Sequence, residues 1–448
     1  MKSHLVQPGG FRRLMFVIAA VSAVLPLYAQ SAEIPPEKLK FVLIFSRHGV
    51  RTPTGGSEQL NQYSAQPWPK WDSPSGYLTP HGARLMTLFG SYYRVYLAQQ
   101  GLLSADGCAD ATHVSFFSDS DQRTAETGKS LAAGMFPGCN ASQQPEQHTL
   151  AEGQMDPLFH SLSAGVGQPD RKRAAASIAG RIGNDPAGVT EAYRLQLDGL
   201  QRLLLGCAAA SPCPQPGHTA ATLLLDIPAS LDGGKSDHLA ELKGPLNTAS
   251  TITENLLLEY TNGLPADQVG WGRVDVPTLK QLMDLHTAAS DLTRRTLYLA
   301  TVQASNTLAH MLDTLRQAAT GKECAGALGK PGDRVVVLVG HDTNLANIAG
   351  MLNLNWVIDG RRDDTPPGGA LIFELWQGAG NSAYEVRTYY TSQTLEQMRE
   401  AAPLTLDKPP ARAEIFIPGC SKGGAGFPCD WKDFKRTLTT AIDPGFVK

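Results

Sequence analysis

Beyond its first 32 residues, two stretches of this chain are apolar over five positions without interruption: FVLIF at 41–45 and VVVLV at 335–339. Runs of that length and composition predict strands buried on both faces. Further strands are expected at 114–117, 371–376 and 384–390. Helical periodicity is read at 85–99 and 125–135 behind the early strands, and at 344–351 behind VVVLV. Between about 140 and 310 the texture changes: Leu, Ala and Gln dominate, with helices clearest at 191–205 and 250–262 and Pro and Gly in the intervening loops. The simplest architecture is an α/β fold with a mixed central sheet flanked by helices. Both chain ends, 33–140 and 310–448, build that core, and a mostly helical domain, 141–309, interrupts it. There is no internal repeat and no GxGxxG fingerprint.

The first 32 residues follow another rule. Lys2, Arg12 and Arg13 precede an apolar stretch, LMFVIAAVSAVLPL, with small residues at Ala29 and Ala32. This is the pattern of a secretory leader, and the run is short for a bilayer span. An exported, periplasmic protein is expected, with no membrane segment after cleavage at either alanine. Losing the leader's three cations moves the formal charge from −3 to −6. With no basic run, nucleic acid is not an expected partner.

Export makes disulfides permissible for the seven cysteines. Sequential pairing is expected, Cys108–Cys139, Cys207–Cys213 and Cys420–Cys429, which leaves Cys324 unpaired. No close CxxC pair or HExxH spacing suggests a metal site. His81, His113, His148, His160, His218, His238 and His310 are read as structural or surface residues, and His4 as part of the leader.

Three strand ends carry the charged residues. FVLIF runs into Ser46-Arg47-His48-Gly49-Val50-Arg51-Thr52-Pro53, VVVLV into Gly340-His341-Asp342-Thr343-Asn344, and the strand at 114–117 into Ser118-Asp119-Ser120-Asp121-Gln122-Arg123-Thr124. In open α/β sheets ligands bind beyond the carboxyl ends of the strands. Arginine suits bidentate recognition of phosphate oxygens, so a phosphate site is the natural reading. R-H-G-x-R-x-P would arise by chance in a chain of this length with a probability on the order of 10⁻⁴, whereas a His-Asp dipeptide is expected about once. Its position directly after a buried strand is what distinguishes the second motif.

S-R-H-G-V-R-T-P together with G-H-D-T-N resembles the histidine acid phosphatases, the branch of the histidine phosphatase superfamily that includes bacterial periplasmic phytases and glucose-1-phosphatase. Leu78-Thr79-Pro80-His81-Gly82, Asp121-Gln122-Arg123-Thr124, Gly270-Trp271-Gly272-Arg273, Leu285-His286 and Thr365-Pro366-Pro367-Gly368-Gly369 extend the resemblance across most of 38–430. H-D-T-N and Gly49 resemble the phytase members more. The resemblance implies a phosphomonoester hydrolase with His48 as nucleophile and Asp342 as proton donor. Arg47, Arg51, Arg123 and His341 would hold the phosphoryl oxygens, while Thr54 and His286 would contact the rest of the substrate. It implies no cofactor and no metal, since arginines would supply the charge stabilisation. The partner would be a small phosphomonoester, and the protein a monomer.

Substrate choice is left open between phytate and sugar phosphates. Phytase members often carry Lys directly after the residue matching Thr54, where this chain has Gly55-Gly56, and an arginine where it has Gln303. The competing class is an exported protein that captures phosphate esters without cleaving them. Asp342 argues against it, because a carboxylate beside an anion weakens binding.

Overall fold

The computed structural model describes residues 37–448 apart from 56, 208–221, 236 and 382. The leader and Gly56 therefore lie outside the described residues. Each strand expected from sequence is present: Lys38–Arg47, Val114–Ser118, Val335–Gly340, Ala370–Gln377 and Tyr384–Ser392. They join one mixed sheet in the spatial order Ala411–Glu414, Tyr384–Ser392, Ala370–Gln377, Lys38–Arg47, Val335–Gly340, Val114–Ser118, Glu146–His148, with Cys429–Asp430 also pairing with Tyr384–Ser392. Strands on the Val335–Gly340 side pair parallel, and those from Ala370–Gln377 outward pair antiparallel.

Alternation along the first strand sorts its side chains between two apolar layers. Val42 and Ile44 pack with Met86, Phe89 and Leu131, beneath the helices Pro80–Gln99 and Gln122–Met135. Phe41, Leu43 and Phe45 point to the opposite face, against residues of Leu297–Thr320, Asp342–Leu352 and Trp431–Ala441. A separate apolar cluster forms among the helices Arg194–Leu205, Pro245–Thr261 and Val276–Thr293.

Helix boundaries depart from the periodicity where local chemistry overrides it. The helix expected at 85–99 begins at Pro80, because Thr79 caps it by accepting from the Gly82 N–H and proline suits the first helical position. The helix expected at 191–205 is two, Pro186–Ala192 and Arg194–Leu205, broken at Tyr193. Disulfides join Cys108 to Cys139 and Cys420 to Cys429, and Cys324 is a free thiol. Cys207 is disulfide-bonded, while Cys213 lies outside the described residues.

Candidate active site

Main-chain hydrogen bonds pin the three charged segments to one another at the carboxyl ends of their strands. The His48 N–H donates to the Gly340 carbonyl at 2.9 Å, and the Asp119 N–H to Val339 at 3.0 Å. Across the other edge, Arg47 donates to Gly369 at 2.8 Å, and Gly368 donates to His48 at 2.9 Å. The segment after His48 also presses against the start of the helix Pro80–Gln99. A Cβ on Gly82 would fall 2.1 Å from the Val50 carbonyl oxygen, so only glycine allows this approach.

His48 is buried, and its Nδ1 lies 2.8 Å from the Gly49 carbonyl oxygen. A carbonyl only accepts, so Nδ1 carries the proton and Nε2 keeps its lone pair. Burial, then Arg47, Arg123, Arg51 and His341, hold the imidazole's pKa well below its usual value. A neutral ring with a free Nε2 among guanidinium groups is poised to attack an electrophile that carries negative charge.

The arginines are organised by a residue the sequence reading missed. Glu254, on Pro245–Thr261, accepts through Oε1 from Arg47 Nη2, and Arg51 Nη2 lies 3.4 Å from the same oxygen. Arg47 is fixed further by donating Nη1 to the Thr365 carbonyl at 2.6 Å. Burial alone would lower the Arg47 pKa, but Glu254 and Asp342 raise it. Arg51 is pushed down to about 10 by burial and by its cationic neighbours, against the pull of Glu254. Little in the sequence marked Glu254: it is one of two glutamates in TITENLLLEY, a helix that also carries Thr and Asn.

On the other side His341 donates from Nε2 to Asp119 Oδ2 at 2.6 Å, which leaves Nδ1 facing Arg123 Nη2 at 3.4 Å. The His341 and His48 ring centroids are 5.6 Å apart. Burial lowers the His341 pKa despite Asp119, and Arg123 and His160 add to the effect. His160, read from sequence as structural or surface, belongs to this cluster. It donates Nε2 to Asp119 at 2.8 Å and Nδ1 to Asp237 at 3.0 Å. Burial opposes its protonation, yet the two carboxylates lift its pKa to about 10, so it is an imidazolium.

Asp342 begins the helix Asp342–Leu352. Its Oδ1 accepts from the Thr343 N–H at 2.9 Å and its Oδ2 from Arg294 Nη1 at 2.5 Å. Burial would raise its pKa, but Arg294, Arg47 and His286 hold it well below the carboxylate range. His286 is buried near the same group, with Nδ1 3.1 Å from Ser250 Oγ and Nε2 3.6 Å from Glu254. Thr54 is exposed at the rim, where a Cβ on Gly76 would sit 3.5 Å from its Cγ2 and 3.8 Å from Arg123 Nη1. A cavity of about 410 Å³ opens beside His341, lined also by His160, Lys243, Arg294, Gln303 and Asn347.

Two triads, Asp119 with His160 and His341, and Glu254 with His286 and Asp342, bring ligand-type atoms within 4.8 Å of one another. Each faces guanidinium groups that repel a cation, so the field suits an anion instead.

Strand ends that present a neutral imidazole, three arginines and a carboxyl group define a phosphoryl-transfer enzyme on an α/β sheet. Residues 38–175 and 252–391 match the histidine phosphatase superfamily (branch 2). The chain belongs to that family, and its reaction is phosphomonoester hydrolysis. It is 33% identical to Phytase AppA of Escherichia coli (strain K12), covering 96% of this chain and 98% of the relative. Identity to a glucose-1-phosphatase of Providencia rettgeri is 28%, over 95% and 97% of the two chains. A solved structure of Hafnia alvei phytase in complex with tartrate superposes with a TM-score of 0.81 at 33% identity, covering 92% and 99%.

Proposed function

We propose that this chain is an exported acid phosphatase of phytase type that cleaves phosphomonoesters through a phosphohistidine on His48. The observation that carries this reading is the His48 ring: its Nδ1 proton is tied to the Gly49 carbonyl, leaving Nε2 its lone pair, and burial with the charges of Arg47, Arg123 and Arg51 keeps the ring neutral. Arg47, Arg51 and Arg123 hold the phosphoryl oxygens, and His341 joins them once Nδ1 takes up a proton, which an anionic substrate beside it favours. Nε2 attacks phosphorus and the P–N bond forms as the ester P–O bond breaks. The leaving oxygen takes its proton from Asp342. Water then attacks the phosphohistidine and gives a proton to the Asp342 carboxylate, and the P–N bond breaks to release inorganic phosphate. Thr54 and His286 contact the remainder of the substrate. The sequence's leader pattern supports export, and no helix among the described residues is long and apolar enough to cross a membrane.

Alkaline quench during turnover of a labelled ester tests this directly, since phosphohistidine survives base. The label is expected on the peptide containing His48 and on no peptide of the His48→Ala variant, whose kcat falls by about 10³-fold or more. Absence of a labelled histidine in an active enzyme overturns the covalent route. Turnover of phytate, glucose 1-phosphate and p-nitrophenyl phosphate then ranks the substrates.

A further inference from the structure

Asp342 poses a geometric problem for a proton donor. Oδ1 already accepts from the Thr343 N–H at the helix start, which favours Oδ2 as the proton's carrier, and Arg294 Nη1 sits there at 2.5 Å. A charge-assisted bond at that distance favours the ionised carboxylate, so Oδ2 takes up a proton more readily once Arg294 leaves. Arg294 is free to do so. It caps the end of Val276–Thr293, its side chain is 29% exposed, and Asp342 is its one carboxylate partner among the described residues. Its neighbour Arg295 is immobilised instead, by Leu354, Asn355 and Asp363, at 7% exposure. Arg294 also lines the cavity beside His341, together with Lys243 and the cationic His160.

We infer that Arg294 exchanges Asp342 for a second phosphate group of the substrate, so that recognition of a polyphosphorylated ester frees Oδ2 to carry the proton. The inference rests on the phosphatase reading and deepens it, making Arg294 a specificity residue. The groups that face Asp342 from other elements are Arg47, Arg51, Arg123, Glu254 and His286. Arg294 differs from Arg47, Arg51 and Arg123 in being tethered by Asp342 alone. A monophosphate gives it no alternative partner, and Asp342 then stays paired.

The test compares the full chain with Arg294→Gln on myo-inositol hexakisphosphate and on p-nitrophenyl phosphate. The expected result is a split. The variant's kcat/KM on the hexakisphosphate falls about tenfold or more, while on p-nitrophenyl phosphate it rises, since Asp342 is no longer held paired. The alkaline limb of the p-nitrophenyl phosphate profile moves up by about half a pH unit or more, because Asp342 loses its strongest cationic partner. Calorimetry should show about tenfold weaker hexakisphosphate binding and unchanged inorganic phosphate binding. Equal losses on both esters with an unmoved limb, or unchanged hexakisphosphate affinity, overturn the inference. If the unaltered chain cleaves neither ester, the phosphatase reading fails, and the binding comparison still decides the role of Arg294.

Discussion

Arg47 and Glu254 meet in the interior although 207 positions separate them, one at the end of the first strand and the other on a helix of the central segment. This contact is one by which the helical part of the chain reaches the strand-end site; Arg294 on Asp342 is another. A buried ion pair is weak evidence for stability, but loss of one partner leaves the other desolvated and misaimed.

Glu254→Gln keeps an acceptor for Arg47 while removing the charge. Its kcat/KM is expected to fall about 10²-fold through misplacement of Arg47 and Arg51. Stability should drop by about 1–3 kcal/mol, read from urea titrations. Unchanged kinetics would show that the carboxylate is dispensable for aiming the guanidiniums.

His160 shares Asp119 with His341 and sits beside it as a cation. His160→Asn removes that cation and leaves Asp119 to His341 alone, so the His341 pKa rises. The pH at which competitive inhibition by inorganic phosphate weakens should then move up. A profile that stays put or shifts downward contradicts this coupling.

Glu259 is buried in the helical cluster with a single hydrogen bond, from the Gly270 N–H at 2.9 Å, and burial pushes its pKa up to about 8. The folded state therefore binds its proton more tightly than the unfolded state, where a glutamate titrates near about 4.3. The stability this gives is complete below the unfolded value and is lost as pH rises through about 8. Glu259→Gln should raise the melting temperature more at pH ~8.5 than at pH ~5, and equal shifts at both would refute the assignment.

The two described disulfides enclose loops of unequal length, with separations of 31 and 9 residues. Chain-entropy arguments give about 4 kcal/mol for Cys108–Cys139 and about 2.5 kcal/mol for Cys420–Cys429. Paired Cys-to-Ser variants should rank in that order in denaturant. Under native, non-reducing conditions a maleimide should label Cys324, and labelling at a different cysteine would contradict the pairing.

The sequence already showed the sheet, because strands buried on both faces must be written in unbroken apolar runs such as 41–45 and 335–339. It showed His48, Arg47, Arg51, Arg123, His341 and Asp342 for a related reason: each follows directly from a strand, so chain order alone places it at the sheet's edge. Glu254, His160 and Arg294 were not legible in this way. They reach the site across tertiary contacts from the central helices and loops, where spacing does not encode direction. Glu254 is one of several polar residues in its helix, and Arg294 stands in an ordinary Arg-Arg pair at a helix end, so neither pattern points to the site.

The first strand, Lys38–Arg47, lies between Val335–Gly340 and Ala370–Gln377. Its register there sets Arg47 against Gly340. Nothing made early in synthesis can complete that arrangement, since both flanking strands arrive in the final third of the polypeptide. Pairing across so long a separation is slow, because loop closure must precede the contacts that reward it. The protein is thus born inactive, and hydrolytic capacity switches on only when the last-made strands close around the first.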